Sequence, residues 1–346
     1  MIIEVHSPTI RRKEMDAVLT QLVEEHIGPG EQARRLIQIA KEHLQFDYAL
    51  ALRSPAEALA LALSLVCGED ARTGYALISA LSPRYYLRSL ANAGIKPLFC
   101  DVEEGTACVS AATVRAALER AVGEVRCLVI HETLGFLPEM QPLCDLGIPL
   151  IEDCSMAYGS HFDERRAGSF GTFSILGLEE RDMLTAGGGA LLFAMDRRDA
   201  AVVRNIAALP PEYGLPDMNA AMALVQFRET GRNTEKRATL AQLYTDAALR
   251  GGRHKLIVRP PSLNYNNYAF PLVLESGMKD VVSYAKKKEI EVEHAFENSI
   301  AGFGLLQAGE CPNAASLALR TALFPLYPRL AQESAQRVAR LIQTLP

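Results

Sequence analysis

The stretch Ile148–Leu192, IPLIEDCSMAYGSHFDERRAGSFGTFSILGLEERDMLTAGGGALL, decides how the chain folds. Its apolar run, Ile148 to Ile151, ends in the acidic pair Glu152 and Asp153. Short apolar runs bounded by turn signals are typical of strands buried on both faces. Ligands of open α/β sheets sit at the carboxyl ends of such strands, so a carboxylate there is a candidate for function. Asp153 also reads as a helix N-cap ahead of CSMAYG. The segment that follows is punctuated by Gly168, Gly171 and Gly187-Gly188-Gly189, the last opening the apolar run Ala190 to Ala194. Glycines there let backbone pass close to a ligand or to another strand.

Taken together, IEDCSMAYGS, AGSFGTFS and TAGGGALL resemble the core of the DegT/StrS-type sugar aminotransferases, fold-type I pyridoxal-phosphate (PLP) enzymes. The resemblance implies that Asp153 pairs with the pyridinium nitrogen of PLP, and that a lysine between Ser174 and the glycine cluster forms the Schiff base. That lysine is missing, since no lysine lies between Lys96 and Lys236. Counting forward from Ser174 puts Glu179 in its place, and counting back from the glycines puts Arg181 there. Neither forms an imine, so covalent PLP is not expected and PLP follows from family resemblance only.

The 346 residues suffice for one large core and a smaller domain. Hydrophobic residues at 49% and charged residues at 22% describe an ordinary globular protein. The net charge of −5 argues against nucleic acid or an anionic membrane as partner. Seven scattered cysteines without a CxxC pair fit a reducing compartment and no structural zinc, so no metal site is expected. MIIEVHSPTIRRKEM lacks the shape of a signal peptide and no apolar run has spanning length, which predicts a cytoplasmic protein.

In chain order, helical patterns run from Arg11 to Ile27 and from Glu31 to His43, separated by Gly28-Pro29-Gly30. Strands are expected at Asp47–Leu52, Tyr75–Leu81, Lys96–Val102 and Arg126–His131, with helices from Pro55, from Pro83 to Ala93 and from Ala111 to Val122. Ser54 as N-cap, Pro55 at the first helical position and Glu57 two residues on form a capping box. In the resembled family this turn is serine-glycine-threonine and holds the cofactor phosphate at a helix N-terminus. Pro55 removes a donor, Ala56 removes a hydroxyl and Glu57 adds a negative charge, so the phosphate cradle is dismantled. The alignment puts Pro83 near the family's stacking aromatic, and Tyr85 and Tyr86 read as ordinary helix residues. His131 or Glu132 falls on a family histidine, and Met156 stands where the family contacts the ring hydroxyl.

The segment PEYGLPDMNAAMALVQF resembles the family's N-Y-R-M-S-E-L-Q-A-A signature, with Glu212 in place of the asparagine that reaches a phosphate across a dimer. A carboxylate facing that dianion is repulsive by several kcal/mol at low effective dielectric. Helices are expected at Asp199–Ala208, Glu235–Arg250 and Met278–Lys288, with strands at Asn267–Leu274 and Ile290–Glu293 and a closing helix–strand–helix. The expected fold is therefore α/β, a fold-type I PLP-transferase-like large domain with a mostly parallel sheet and a smaller C-terminal α+β domain. The expected organisation is an N-terminal helical arm at 1–44, the large domain at 45–232 and the small domain at 233–346.

Three functions compete. The favoured one is a non-transaminating homologue with a binding, regulatory or assembly role in nucleotide-sugar or polysaccharide biosynthesis, paired as a homodimer or with an active relative. The second is an enzyme with altered chemistry on a small-molecule ligand, using Asp153, His131, Glu132, Glu179 or Arg181. The third is an aminotransferase with a lysine from elsewhere, Lys96 or Lys236 being nearest in sequence.

Overall fold

Seven strands make the central sheet: β1 (Tyr48–Leu52), β2 (Tyr75–Ser79), β3 (Lys96–Cys100), β4 (Val125–His131), β5 (Leu150–Asp153), β8 (Phe173–Gly177) and β9 (Ala190–Ala194). The computed structural model that contains them describes residues 2–68, 74–195, 199–201, 203 and 209–346. Their order is β1-β9-β8-β5-β4-β2-β3, and β9 alone runs against its neighbours. The two-residue strands β6 (His161–Phe162) and β7 (Arg165–Arg166) form a separate small ribbon with β11 (Leu263–Asn264).

In-register pairing of β4, β5 and β8 sets which side chains share a face. His131 lies beside Asp153 and Ile175, while Ile130 lies beside Glu152 and Ser174. One face carries Val129, Ile151, Phe173 and Ile175 into a core with α3 (Pro55–Cys67) and α4 (Tyr85–Ala93). The other carries Leu128, Ile130 and Leu150 toward α5 (Ala111–Leu118) and α6 (Met140–Cys144). Helix α3 is buried at Ala58, Leu59, Ala62 and Leu63, a spacing of one helical face. Each such leucine contributes about 1.5–3 kcal/mol by burial.

The arm helices α1 (Arg12–Val23) and α2 (Glu31–Leu44) pack on α7 (Asp217–Gly251). Asp217 anchors them: its buried carboxylate accepts the N–H groups of Gly30, Gln32 and Ala33 at 2.9, 3.1 and 2.9 Å. It caps the start of α2 from outside that helix, where unpaired donors and the dipole favour an anion. A side chain at Gly30 would meet Asp217 Oδ2 at 2.7 Å, so the glycine is required for this approach.

A second sheet, ordered β10 (Lys255–Leu256), β12 (Phe270–Val273), β14 (Thr321–Phe324) and β13 (Glu293–His294), is antiparallel throughout. It packs with α8 (Met278–Lys286) and α10 (Gln332–Gln343) around Phe270, Leu272 and Val338, while α9 (Pro312–Arg320) leads into β14. Ile3 forms a parallel bridge to Ile290, tying the first residues to this second sheet. Buried Arg237 of α7 donates to the carbonyls of Tyr268 and Leu326 at 2.7 and 3.0 Å.

Several expectations needed revision. The helix expected at Glu235–Arg250 is the second half of one continuous helix from Asp217 to Gly251, because Gly231 and Asn233 are weak formers but no proline interrupts packing. That helix contains residues 232 and 233, where the domain boundary is expected. The helix from Ala111 ends at Leu118 rather than Val122. Asp153 caps no helix, since residues 155–159 form turns. Strand β8, five residues between glycines, forms where no strand is expected. The helix expected at 199–208 lies mostly outside the described residues.

Replacing Asp217 by alanine leaves three backbone donors, one buried and two partly buried, without their acceptor and should destabilise the protein by about 3 kcal/mol. Urea denaturation of the variant against wild type measures that loss.

Candidate functional site

Asp153 ends β5 with 1% of its surface exposed, at the carboxyl edge of the sheet. Its Oδ2 accepts the hydroxyls of Tyr86 at 2.6 Å and Tyr85 at 3.1 Å. Its Oδ1 accepts the backbone N–H of Ser155 at 3.1 Å and, very closely, the Ser155 hydroxyl. A carboxylate offers about four acceptor positions, and all four are occupied from within the chain. His131 Nδ1 stands 3.5 Å from Oδ2, an electrostatic neighbour rather than a fifth hydrogen bond. Burial by itself would raise the Asp153 pKa, but His131, Ser155 and Tyr86 outweigh it and hold the carboxyl down at about 2. Burial first and the charge of Asp153 second push both tyrosine phenols well above their usual range, so both remain donors.

The tyrosines are therefore not ordinary helix residues, as their spacing suggested. They open α4 at the same sheet edge as Asp153, because the β2–α4 crossover returns the chain there. Two aromatic hydroxyls directly after a parallel strand's turn are the signal that would have marked them.

A cleft of about 250 Å³ opens beside Asp153. Of the expected site residues, Pro55, His131, Asp153, Met156, Glu179 and Arg181 line it, together with Pro83, Tyr85 and Asp182. Ser174 does not: it faces the other side of the sheet beside Glu152 and donates to the Gly168 carbonyl at 2.6 Å. Glu212 sits exposed in the turn Pro211–Tyr213, where its carbonyl accepts Arg53 Nε at 2.6 Å, outside the cleft. Glu132 is buried and does not line the cleft. Burial first and Glu152 second push its carboxyl well up. Glu152 accepts the N–H groups of Gly168, Phe170 and Gly171 at 2.6, 2.8 and 3.1 Å.

The two candidates for the lysine position are both engaged. Glu179 accepts the backbone N–H of Gly189. Arg181 makes a two-pronged bond to Glu293 of the second sheet, at 2.8 and 3.1 Å, and its carbonyl accepts the Tyr268 hydroxyl at 2.6 Å. Asp182, unread in the sequence, accepts the Glu179 N–H at 2.8 Å. Burial raises its carboxyl to about 7, with Asp153 and Glu179 adding to the shift. At the start of α3, Ser54 Oγ accepts the Glu57 N–H at 3.2 Å, so half of the expected capping box forms. The reciprocal half does not, and Glu57 Oε2 is buried without a partner. Ala56 stands behind Pro55 with only its carbonyl engaged, by Ser89 at 2.9 Å.

Comparison with known proteins matches residues 8–343 to the DegT/DnrJ/EryC1/StrS aminotransferase family. The chain belongs to that family. It is 24% identical to dTDP-4-dehydro-2,3,6-trideoxy-D-glucose 4-aminotransferase of Saccharopolyspora spinosa, over 98% of this chain and 95% of that enzyme. It is 26% identical to L-glutamine:2-deoxy-scyllo-inosose aminotransferase of Streptomyces paromomycinus over 58% of this chain, spanning 48% of that enzyme. The fold matches the aminotransferase TlmJ of Streptoalloteichus hindustanus with a TM-score of 0.88, at 20% identity over 99% of this chain and 98% of that one. The α/β, fold-type I reading is thereby confirmed.

A DegT/StrS-type cofactor site needs an amine, a free acceptor for the ring nitrogen and donors for the phosphate. Among the described residues no lysine lines the cleft; Lys96 is exposed at the start of β3 and Lys236 is exposed on α7. The acceptors of Asp153 are filled, and the α3 terminus presents a proline and a carboxylate in place of donors. The residues present do not fit PLP.

The Asp182 carboxyl has a testable consequence. Its folded pKa of about 7 lies above its ordinary value of 3.8, so the folded state holds the proton more tightly. Stability from this group is complete below the ordinary value and is lost as pH rises through 7. Asp182→Asn should therefore gain on wild type by about 1–3 kcal/mol between pH 5 and pH 8, measured by denaturation at both pH values.

Proposed function

We propose that this chain is a non-transaminating member of the aminotransferase family that binds a small molecule in the cleft beside Asp153. Its role is one of binding, regulation or assembly in nucleotide-sugar or polysaccharide metabolism. The observation that carries this reading is the saturated Asp153 in a cleft that no lysine lines among the described residues. An aldehyde entering the cleft meets no amine, and its ring nitrogen would have to displace a tyrosine hydroxyl from a carboxylate already held ionised. The names of the relatives support the sugar setting.

Pairing with a second copy, or with an active relative, is part of the proposal. Met15, Leu19, Leu22 and Val23 stand exposed on α1, and Ile27 continues the stripe just beyond it. Contiguous exposed apolar surface of this kind marks interaction sites. No helix among the described residues is long and apolar enough to cross a membrane.

Acid–base chemistry in the same cleft is the second reading, supported by Asp182, whose carboxyl titrates at about 7 in a cleft that also contains His131. The deciding experiment incubates purified protein with excess pyridoxal phosphate, reduces with borohydride and weighs the intact chain. The expected result is unmodified protein beside an active relative that gains one reduced cofactor. A stoichiometric adduct mapped to a single lysine would overturn the proposal.

A further inference from the structure

Two of the seven cysteines meet away from the cleft. Cys67 is the last residue of α3, and Cys127 lies in β4, in the half of that strand remote from His131. Helix α3 packs on β4, and the two Sγ atoms stand 3.9 Å apart, within hydrogen-bond reach for sulfur. Cys127 is fully buried, whereas Cys67 is 6% exposed and is followed by the exposed Gly68, so its thiol lies at the rim of the core. The pair is chemically asymmetric. The hydrogen bond with Cys127 is the largest influence on the Cys67 thiol, and with the charge of Arg126 it outweighs burial and brings that thiol below its ordinary value. The same contact first, and burial second, push Cys127 well up. Burial raises each of the other five thiols. Thiolate is the form that attacks an oxidant, so Cys67 is the reactive cysteine of the chain, and it faces a second sulfur.

We propose that Cys67 and Cys127 form a modification site for hydroperoxides, closing to a reversible disulfide with Cys67 as the attacking sulfur and Cys127 as the resolving one. The Cys67 thiolate attacks the terminal oxygen of the hydroperoxide and the O–O bond breaks. A sulfenic acid forms on Cys67, and the alkoxide leaves as the alcohol with the proton that Cys67 gave up. The Cys127 sulfur then attacks the Cys67 sulfur, the S–O bond breaks, and hydroxide leaves as water with the Cys127 proton. The two sulfurs together lose two electrons, which the peroxide takes up. The sulfurs close from 3.9 Å to about 2 Å, a movement that falls on the terminal residue of α3. The bond ties the last turn of α3 to the sheet and makes a closed loop of the chain carrying β2, α4, β3 and α5, which constrains the unfolded state. In a reducing compartment such a bond is transient, formed on oxidation and reversed by thiols. Neither cysteine lines the cleft, so this inference stands apart from the non-transaminating reading.

The test treats the full chain with hydrogen peroxide at neutral pH, alkylates the remaining thiols, then weighs and maps the protein without reduction. The expected result is a loss of two hydrogens, a peptide pair joining Cys67 to Cys127, alkylation of the other five cysteines, and reversal by dithiothreitol. Cys67 should react about tenfold faster than any other cysteine of the folded chain, a preference that vanishes in urea. The oxidised protein should melt at a higher temperature than the reduced one. Cys127→Ala should stop at a sulfenic acid on Cys67, trapped by dimedone, and Cys67→Ala should leave Cys127 unoxidised. The map of the wild-type chain needs neither variant to fold. A different cysteine pair, oxidation spread over all seven thiols, a chain that stays fully alkylated, or dimedone on Cys127 in Cys67→Ala would overturn the proposal.

Discussion

A buried carboxylate with every acceptor position filled is the interaction on which the site depends. Asp153 cannot be left unpaired at 1% exposure, because an isolated charge out of water costs several kcal/mol or more. In a cofactor enzyme of this fold a bound cation could meet that demand. Here two phenols, one serine hydroxyl and one backbone amide meet it, so the strand end is electrically complete with nothing bound. The loop that follows is tied into the same arrangement, since Ser155 Oγ also accepts the Gly177 N–H at 2.7 Å and Gly177 leaves no room for a side chain beside Asp182.

Around that point the scaffold is conventional. The in-register parallel strands bring His131 and Asp153 to one face and Glu152 and Ser174 to the other. The second sheet then roofs the cleft through Arg181 and Glu293. That ion pair is half open to water, with the arginine side chain 53% exposed, so it contributes little stability, in the range of 0–1 kcal/mol. Its importance is positional: it fixes the loop that carries Arg181 against the opposite wall.

Most of the fold was legible in the sequence, because alternating apolar strands and amphipathic helices each satisfy a local rule. The strand ending in Asp153 and the helix opening at Ser54 follow from periodicity and caps alone. Strand β8 escaped because five residues between glycines carry too little pattern, and the length of α7 escaped because tertiary packing overrides the propensity of Gly231. The cleft was half legible. Absence of a lysine is a property of composition, visible at once. The hydroxyls of Tyr85 and Tyr86 on Asp153, the pairing of Arg181 with Glu293 and the raised carboxyl of Asp182 are contacts between segments 67 to 112 residues apart, or products of burial. No local pattern encodes them.

The family scaffold has thus been kept while the strand-end carboxylate is satisfied from within. The most direct test of that statement is a crystal structure grown in excess pyridoxal phosphate. The account predicts Tyr85 and Tyr86 hydroxyls on Asp153 Oδ2 and no pyridine ring beside it. A ring whose nitrogen lies within hydrogen-bond distance of Asp153, with the two tyrosines swung aside, would contradict it.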